Sequence, residues 1–153
     1  MRVLVLENEP IVANEIADLA TLCGHTVEAC VSTADEAIRI GLATKPDLLI
    51  ADLDLGGEKD GCDAAVILHE MIGLKAVFVT GQSDPRSRDR TQHAWPLGFV
   101  RKPFTPEAFF ALMRTAEGTI EYRRQMPHLY RPRNPVSGLA LNGFAQPHPC
   151  YPG

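Results

Sequence analysis

Two aspartates in the segment LLIADLDLGG, Asp52 and Asp54, are the first candidates for chemistry in this sequence. Four apolar residues precede Asp52, a pattern typical of a strand that is buried on both faces. In open α/β sheets, ligands bind beyond the carboxyl ends of the strands, so acids at this position lie where a site is expected. Taken alone, the pair fits turn formation equally well. The neighbouring segments must decide between these readings.

Other polar groups follow the apolar runs of three further predicted strands. The sequence Glu-Asn-Glu occupies residues 7–9 after the first run, Thr80 follows the fourth and Lys102 follows the fifth. Parallel strands would bring these groups and Asp52 to one edge of a sheet. Carboxylates about 4 Å apart repel by roughly 1 kcal/mol in water, so the cluster favours a cation, and oxygen ligands suit Mg²⁺. With cations to neutralise the equatorial oxygens, a carboxylate could attack a phosphoryl group and form an aspartyl phosphate.

Five apolar runs predict the strands that would position these groups. They lie at 3–6, 26–31, 48–52, 76–79 and 98–100. Helical patterns lie between and after them, at 11–23, 33–43, from residue 61 onward and 105–123, and the charged segment 85–95 has a poor helical pattern. Five strands alternating with five helices predict a parallel sheet with right-handed crossovers.

Local signals predict the ends of several helices. Gly24 stands at the position where a glycine terminates the first helix. Thr33 and Glu36 match a capping box at the start of the second helix. Thr105 followed by Pro106 provides a capping hydroxyl and a proline at the first helical position, so a helix is predicted to begin there.

Length and charge limit the class of protein. A chain of 153 residues with 45% apolar content can form one full core but not two ordinary domains. Residues 1–118 carry 11 Lys and Arg against 18 Asp and Glu, whereas residues 119–153 carry 4 against 1. Scattered bases on an acidic body do not form a nucleic-acid-binding surface, so we expect no direct DNA binding.

The cysteines and the chain ends point to a cytoplasmic protein. The four cysteines show no CxxC spacing, and Cys23 and Cys30 are predicted to be small buried hydrophobes. The first apolar run is too short for a signal peptide or a membrane span, so no membrane partner is expected. Six prolines after residue 126 follow no period, which predicts an extended or flexible tail.

Over about residues 1–120, the sequence resembles the receiver domains of bacterial two-component response regulators. That family has an acidic cluster after strand one, a phosphoacceptor aspartate ending strand three, Thr or Ser ending strand four and Lys-Pro after strand five. These motifs are present here as LENEP, PDLLIADLDLGG, VFVTG and FVRKPF. FVTG further resembles a subgroup of single-domain regulators frequent in alphaproteobacteria with a Phe-x-Thr-Gly sequence. The resemblance implies a flavodoxin-like doubly wound sheet of order 2-1-3-4-5, with a receiver domain at 1–122 and a proline-rich tail at 123–153.

The resemblance also implies a role for each matching residue. Asp52 would be the phosphoacceptor, Thr80 the hydroxyl that follows the phosphoryl group, and Lys102 its counter-ion. Phe99 would be the aromatic switch whose rotamer responds to phosphorylation. The bond between Lys102 and Pro103 is expected to be cis.

The implied cofactor is Mg²⁺ or Mn²⁺, held by Glu7, Asn8, Asp52 and the backbone carbonyl of Asp54. Asn8 stands where the family usually has a metal-binding aspartate, so one charge is lost and weaker magnesium binding is expected. We hypothesise that the carboxylate of Asp54 restores part of that charge. Alternatively, Asn8 biases the domain towards its active shape or slows dephosphorylation.

The implied function is signalling rather than enzymatic turnover on a substrate. The phosphoryl group would come from a sensor histidine kinase or a histidine phosphotransfer protein, and output would pass to a protein partner through helix 4, strand 5 and helix 5. One alternative is a receiver-like binding module that signals without phosphorylation. A remoter one is a phosphatase of the haloacid dehalogenase type, with Asp52 as nucleophile and Asp54 as general acid.

Overall fold

A computed structural model describes residues 1–81 and 89–129 of the chain. Its five strands are β1 (Arg2–Leu6), β2 (Thr26–Val31), β3 (Leu48–Asp52), β4 (Lys75–Thr80) and β5 (Gly98–Arg101). All neighbouring pairs are parallel and the order is β2-β1-β3-β4-β5. The predicted doubly wound sheet of order 2-1-3-4-5 is therefore confirmed.

Helices connect the strands and cover both faces of the sheet. They are α1 (Pro10–Leu22), α2 (Ala34–Thr44), α3 (Gly61–Ile72), α4 (the helical residues 89–91, followed by a 3₁₀ turn at Gln92–Ala94) and α5 (Pro106–Gln125). Of the segment 85–95, for which the sequence predicts only a poor helical pattern, residues 85–88 lie outside the described residues, and residues 89–94 are helical.

Side-chain caps fix the starts of three helices. The hydroxyl of Thr33 accepts a hydrogen bond from the Glu36 amide at the start of α2, and that of Thr105 accepts one from the Ala108 amide at the start of α5. The predicted caps Thr33 and Thr105 are confirmed, but the α2 capping box is incomplete, because the Glu36 carboxylate accepts from the Ser32 amide over 3.4 Å rather than from the Thr33 amide. The cap of α3 is a complete capping box, in which Asp60 and Asp63 each accept from the other's backbone amide.

The sheet separates two apolar cores. Leu4, Leu49 and Phe78 pack on one face with α2 and α3, whereas Val5 and Ile50 pack on the other face with α1 and α5. Because β3 and β4 are buried along their whole length, a polar side chain on them needs a partner at the strand end. This burial positions the candidate site.

Two expectations differ from the structure. α5 continues through Gln125, so residues 123–125 are helical rather than part of a tail that begins at 123; the predicted tail beyond residue 129 lies outside the described residues. Cys30 is exposed rather than buried, because β2 is an edge strand, while Cys23 is half-buried. Across residues 1–81 and 89–129, no helix combines the length and the apolar character needed to cross a membrane.

Candidate functional site

The candidate site lies at the carboxyl edge of the sheet, where four strands end side by side. Parallel register places Leu6 beside Ala51, Asp52 beside Val79 and Thr80 beside Arg101. Glu7 follows β1 and Lys102 follows β5, so both are brought to the same edge as Asp52 and Thr80. The prediction that these strand ends converge is confirmed.

The ammonium group of Lys102 joins the acids of this edge. Its Nζ donates to Glu7 Oε2 over 2.6 Å and to Asp52 Oδ2 over 3.0 Å. A third carboxylate, Glu9 Oε1, lies 3.7 Å from it and is largely exposed. One cation therefore bridges residues from β1, β3 and β5.

Glu7 and Asp52 are buried, which makes their pairing with Lys102 obligatory. Their side chains are 0% and 4% exposed, against 17% for Lys102. A buried carboxylate without a partner would be strongly unfavourable. Lys102 supplies one positive charge against the two negative charges of Glu7 and Asp52, so the three side chains together keep a net negative charge.

Burial and hydrogen bonding act in opposite directions on the pKa values of Asp52 and Lys102. Burial is the largest influence on Asp52 and raises the pKa of its carboxyl group, while Lys102 and the backbone amide of Asp54 act to lower it. Burial also acts to lower the pKa of Lys102, but its hydrogen bonds to Glu7 and Asp52 outweigh this, so the pKa is raised. Lys102 therefore stays charged at neutral pH.

The loop after β3 is held by two polar contacts to the site. The Asp54 amide donates to Asp52 Oδ1 over 3.1 Å, and the Asn8 side-chain amide donates to the Leu55 carbonyl over 3.3 Å. Asn8 thus has a structural task that an aspartate could not perform, because a carboxylate cannot donate a hydrogen bond to a carbonyl. The Asp54 side chain is exposed beside this loop.

The predicted switch residues lie on the neighbouring strands. Thr80 is buried at the end of β4, and its carbonyl accepts a hydrogen bond from the Lys102 amide. Phe99 on β5 is half-buried, and its ring stacks on that of Phe78 with centroids 5.5 Å apart. The Lys102–Pro103 peptide bond is cis, as expected.

Gly61 is a positioning residue that sequence reasoning identified only as the start of a helix. A Cβ atom at this position would lie 1.8 Å from the Asp52 carbonyl oxygen. Glycine therefore lets the first turn of α3 pack directly against the backbone of the candidate acceptor. The signal available in the sequence is a glycine directly after the capping residue Asp60.

Arg90 forms a second contact that sequence reasoning missed. Its guanidinium donates to Asp60 Oδ2 over 2.7 Å and to Asp63 Oδ1 over 3.1 Å. These are the two carboxylates of the α3 capping box, so α4 is tied to the start of α3. A contact across about thirty residues carries no local sequence signal.

The acids at this edge fit a hard divalent cation. Within residues 1–81 and 89–129, no group of three or more His, Cys, Asp or Glu side chains is placed to hold a metal ion. Mg²⁺ does not require three, since it binds through one or two carboxylates and keeps several waters. Among the described residues, each oxygen of Glu7 and Asp52 accepts one hydrogen bond and has two lone pairs, so both carboxylates retain coordinating capacity.

Comparison with known proteins agrees with the observed fold. The chain belongs to the response regulator receiver domain family, whose family model matches residues 3–114. Receiver domains are signalling modules of two-component systems and typically bind Mg²⁺ at an acidic phosphorylation site. Membership of this family removes the haloacid dehalogenase alternative.

The relatives are regulators that are longer than this chain. It is 29% identical over 115 residues to the phyllosphere-induced regulator PhyR of Methylorubrum extorquens, a match that covers 74% of this chain and 42% of PhyR. It is 27% identical over 104 residues to the transcriptional regulatory protein PdtaR of Mycobacterium tuberculosis, covering 68% of this chain and 50% of PdtaR. The chain thus spans half or less of the length of these two relatives.

A solved structure agrees with the assignment. The response regulator PhyR from Brucella abortus superposes with a TM-score of 0.70 at 28% identity, covering 83% of this chain and 51% of that one. The common part is the receiver fold.

Proposed function

We propose that this chain is a single-domain response regulator that accepts a phosphoryl group on Asp52 and signals by protein contact in a phosphorelay. The observation that carries the proposal is the placement of the Asp52 carboxylate at the end of buried β3, bound by Lys102, with Glu7 on the other side of that ammonium. A nucleophile flanked by a cation is the arrangement that phosphoryl transfer requires.

Transfer would proceed from a phosphohistidine of a sensor kinase or a phosphotransfer protein. An oxygen of the Asp52 carboxylate forms the new bond to phosphorus while the P–N bond breaks, and the imidazole leaves with the bonding electron pair and takes up a proton. Lys102 donates to the transferring oxygens and offsets the developing charge. The chain catalyses this transfer and the later loss of phosphate from itself, and no other substrate is proposed.

The proposed cation site uses Glu7, Asp52, the side-chain oxygen of Asn8 and the backbone carbonyl of Asp54. A bound Mg²⁺ or Mn²⁺ would supply charge neutralisation for the equatorial phosphoryl oxygens. The residues of this chain do the rest. Burial excludes water from Asp52, and the Asp54 amide orients the Asp52 carboxylate. Lys102 binds a second oxygen of the phosphoryl group.

The proposed switch uses Thr80 and Phe99. The Thr80 hydroxyl moves towards the new phosphoryl group and forms a hydrogen bond with it. Phe99 moves into the space that Thr80 vacates, so the face of α4, β5 and α5 changes. A histidine kinase or phosphotransfer protein would thus set the affinity for a downstream protein partner that binds this face. We place the pathway in the cytoplasm, in keeping with the free thiols of Cys23, Cys30 and Cys62.

The deciding experiment is intact mass spectrometry after incubation with acetyl phosphate and Mg²⁺. The wild type should gain one phosphoryl group and Asp52→Asn none, whereas the matched control Asp18→Asn, which changes an exposed aspartate on α1, should label like the wild type. Equal labelling of Asp52→Asn and wild type would refute Asp52 as the acceptor. No labelling of the wild type at any Mg²⁺ concentration would favour the alternative of a module that signals without phosphorylation, with Asn8 as the first residue to examine.

A further inference from the structure

The contact between α4 and the start of α3 is a closed network of hydrogen bonds. Asp60 accepts from the Asp63 amide with one carboxylate oxygen, Oδ1, and from Arg90 with the other, Oδ2. Asp63 likewise accepts from the Asp60 amide with its Oδ2 and from Arg90 with its Oδ1. All four carboxylate oxygens are therefore engaged, and one guanidinium bridges both acids. We call Arg90 with Asp60 and Asp63 the Arg90 latch.

Preorganisation distinguishes the Arg90 latch from an ordinary surface ion pair. The Arg90 side chain is 52% exposed, and those of Asp60 and Asp63 are 25% and 38% exposed, so solvent screens the contact. The capping box already fixes both carboxylates, however, so closing the latch costs mainly the side-chain entropy of Arg90. The planar fork of arginine suits two acceptors at once. The guanidinium also offsets the repulsion between the two acids.

The packing of α4 leaves it room to move once the latch opens. Thr91 and Ala94 are fully buried, and Ala94 belongs to the core on the α2 and α3 side of the sheet. Beside this anchor, an open groove of about 430 Å³ lies between Val66 and Ile67 of α3 and His93 of α4. Two closely packed helices would leave no such space. α4 can therefore shift towards α3 without displacing the core.

The acidic side of the Arg90 latch is continuous with the candidate acceptor. Gly61 follows Asp60 directly, and a Cβ atom on Gly61 would lie 1.8 Å from the Asp52 carbonyl oxygen. The loop 53–60 joins the same two places, because the Asp54 carbonyl belongs to the proposed cation site and the loop ends at Asp60. A change at Asp52 therefore reaches the latch through the backbone.

We propose that the Arg90 latch holds α4 in a resting position and that phosphorylation of Asp52 opens it. This inference rests on the proposed function and identifies the contact that must break before α4 can move. When the phosphoryl group and its cation draw in the loop after β3, Asp60 and Asp63 shift relative to Arg90, and α4 moves into the groove. Opening the latch costs free energy that is subtracted from binding, so the latch keeps the unphosphorylated chain at rest.

Affinity for a phosphoryl mimic tests the latch. Full-length wild type and Arg90→Gln would be titrated with beryllium fluoride at saturating Mg²⁺ by isothermal titration calorimetry. Arg90→Gln should bind about three- to fivefold more tightly, since an exposed ion pair no longer opposes the change of state. The matched control is Lys59→Gln, which removes the exposed ion pair between the same loop and Asp35 of α2. This control should bind like the wild type.

Asp63→Asn opens the latch from the acidic side. The asparagine oxygen can still accept from the Asp60 amide and cap α3, but the side chain no longer offers Arg90 a negative charge. This variant should also bind beryllium fluoride more tightly than the wild type. Its combination with Arg90→Gln should change the affinity by less than the two single changes combined, because both remove the same contact. Far-ultraviolet circular dichroism would verify the fold of each variant.

Hydrogen exchange separates a latch from a contact that only stabilises the fold. Without ligand, the amides of residues 89–94 should exchange faster in Arg90→Gln than in the wild type. Binding of beryllium fluoride should bring the wild type close to the rate of the variant. A purely structural contact would change the exchange rates of the variant without raising its affinity.

The outcomes distinguish the latch from the proposed function. Equal or weaker binding by Arg90→Gln, while the wild type binds, would overturn the latch and leave the proposed function intact. Unchanged exchange of residues 89–94 when the wild type binds would overturn the latch as well. No binding by the wild type at any Mg²⁺ concentration would refute the proposed function, and the latch with it.

Discussion

At the scale of single residues, Asn8 is the departure with the clearest consequence. Its side-chain amide donates to the Leu55 carbonyl, and in the proposed cation site it supplies an uncharged oxygen where the resemblance leads us to expect an aspartate. We therefore predict that Asn8 lowers the affinity for a cation while it holds the loop after β3. This prediction is testable because aspartate has nearly the same shape.

We predict that Asn8→Asp binds Mg²⁺ about tenfold more tightly than the wild type. A further unit charge a few Å from a divalent ion contributes about 2 kcal/mol even with water-like screening, and loss of the bond to Leu55 offsets part of it. Asp54→Ala should weaken binding if its carboxylate compensates for Asn8. Both affinities can be measured by titration followed by NMR, and unchanged values in both variants would refute compensation.

The cysteines allow a second prediction at this scale. Partial desolvation raises the pKa of the Cys30 thiol although that residue is exposed, and burial on α3 raises the pKa of the Cys62 thiol to about 11. At pH 7 about one Cys62 in ten thousand would be a thiolate, so alkylation should be slow and should accelerate as the pH rises towards 11. Exposed Cys30 should react first in a Cys150→Ser background. Peptide mapping after iodoacetamide treatment gives both rates, and faster labelling of Cys62 would contradict the described burial.

At the scale of elements, the start of α3 connects the site to the rest of the fold. Gly61 touches the Asp52 backbone, Asp60 and Asp63 cap the helix, and Arg90 ties both carboxylates to α4. A change in the first turn of α3 should therefore affect both stability and chemistry.

Gly61→Ala should lower the free energy of unfolding by about 1–3 kcal/mol, because overpacking against a backbone carbonyl cannot be relieved by a rotamer change. It should also slow labelling by acetyl phosphate. Gly57→Ala is the matched control, since its Cβ would lie 3.6 Å from the nearest described atom, an ordinary contact. Urea unfolding of both variants provides the comparison, and equal stability would show that the loop after β3 adapts.

The elements themselves were largely predictable, and the reasons are visible in particular residues. Thr33 and Thr105 stand before amphipathic patterns, so local chemistry identified the starts of α2 and α5. The site residues were predictable because four strand ends must meet in a parallel sheet. The exposure of Cys30 depends on which strand lies at the edge, and the Arg90 contact depends on helix packing; neither is encoded in a local pattern.

At the scale of the whole molecule, binding at Asp52 should stabilise the fold. A phosphoryl mimic that binds the native state alone adds about 2.7 kcal/mol when its concentration is one hundred times its dissociation constant. Beryllium fluoride with Mg²⁺ should therefore raise the unfolding temperature of the wild type and of Asp18→Asn, but not that of Asp52→Asn. Differential scanning calorimetry measures the shift, and an equal rise in Asp52→Asn would mean that binding occurs elsewhere.

The bridge from Lys102 to Glu7 and Asp52 spans 95 and 50 positions along the chain. During synthesis, Glu7 and Asp52 leave the ribosome long before Lys102. A nascent chain that lacks β5 has two acids and no ammonium between them, so it cannot be charged with phosphate in the proposed manner. If the proposed transfer from a kinase is correct, only chains whose last strand has already joined the sheet would be phosphorylated.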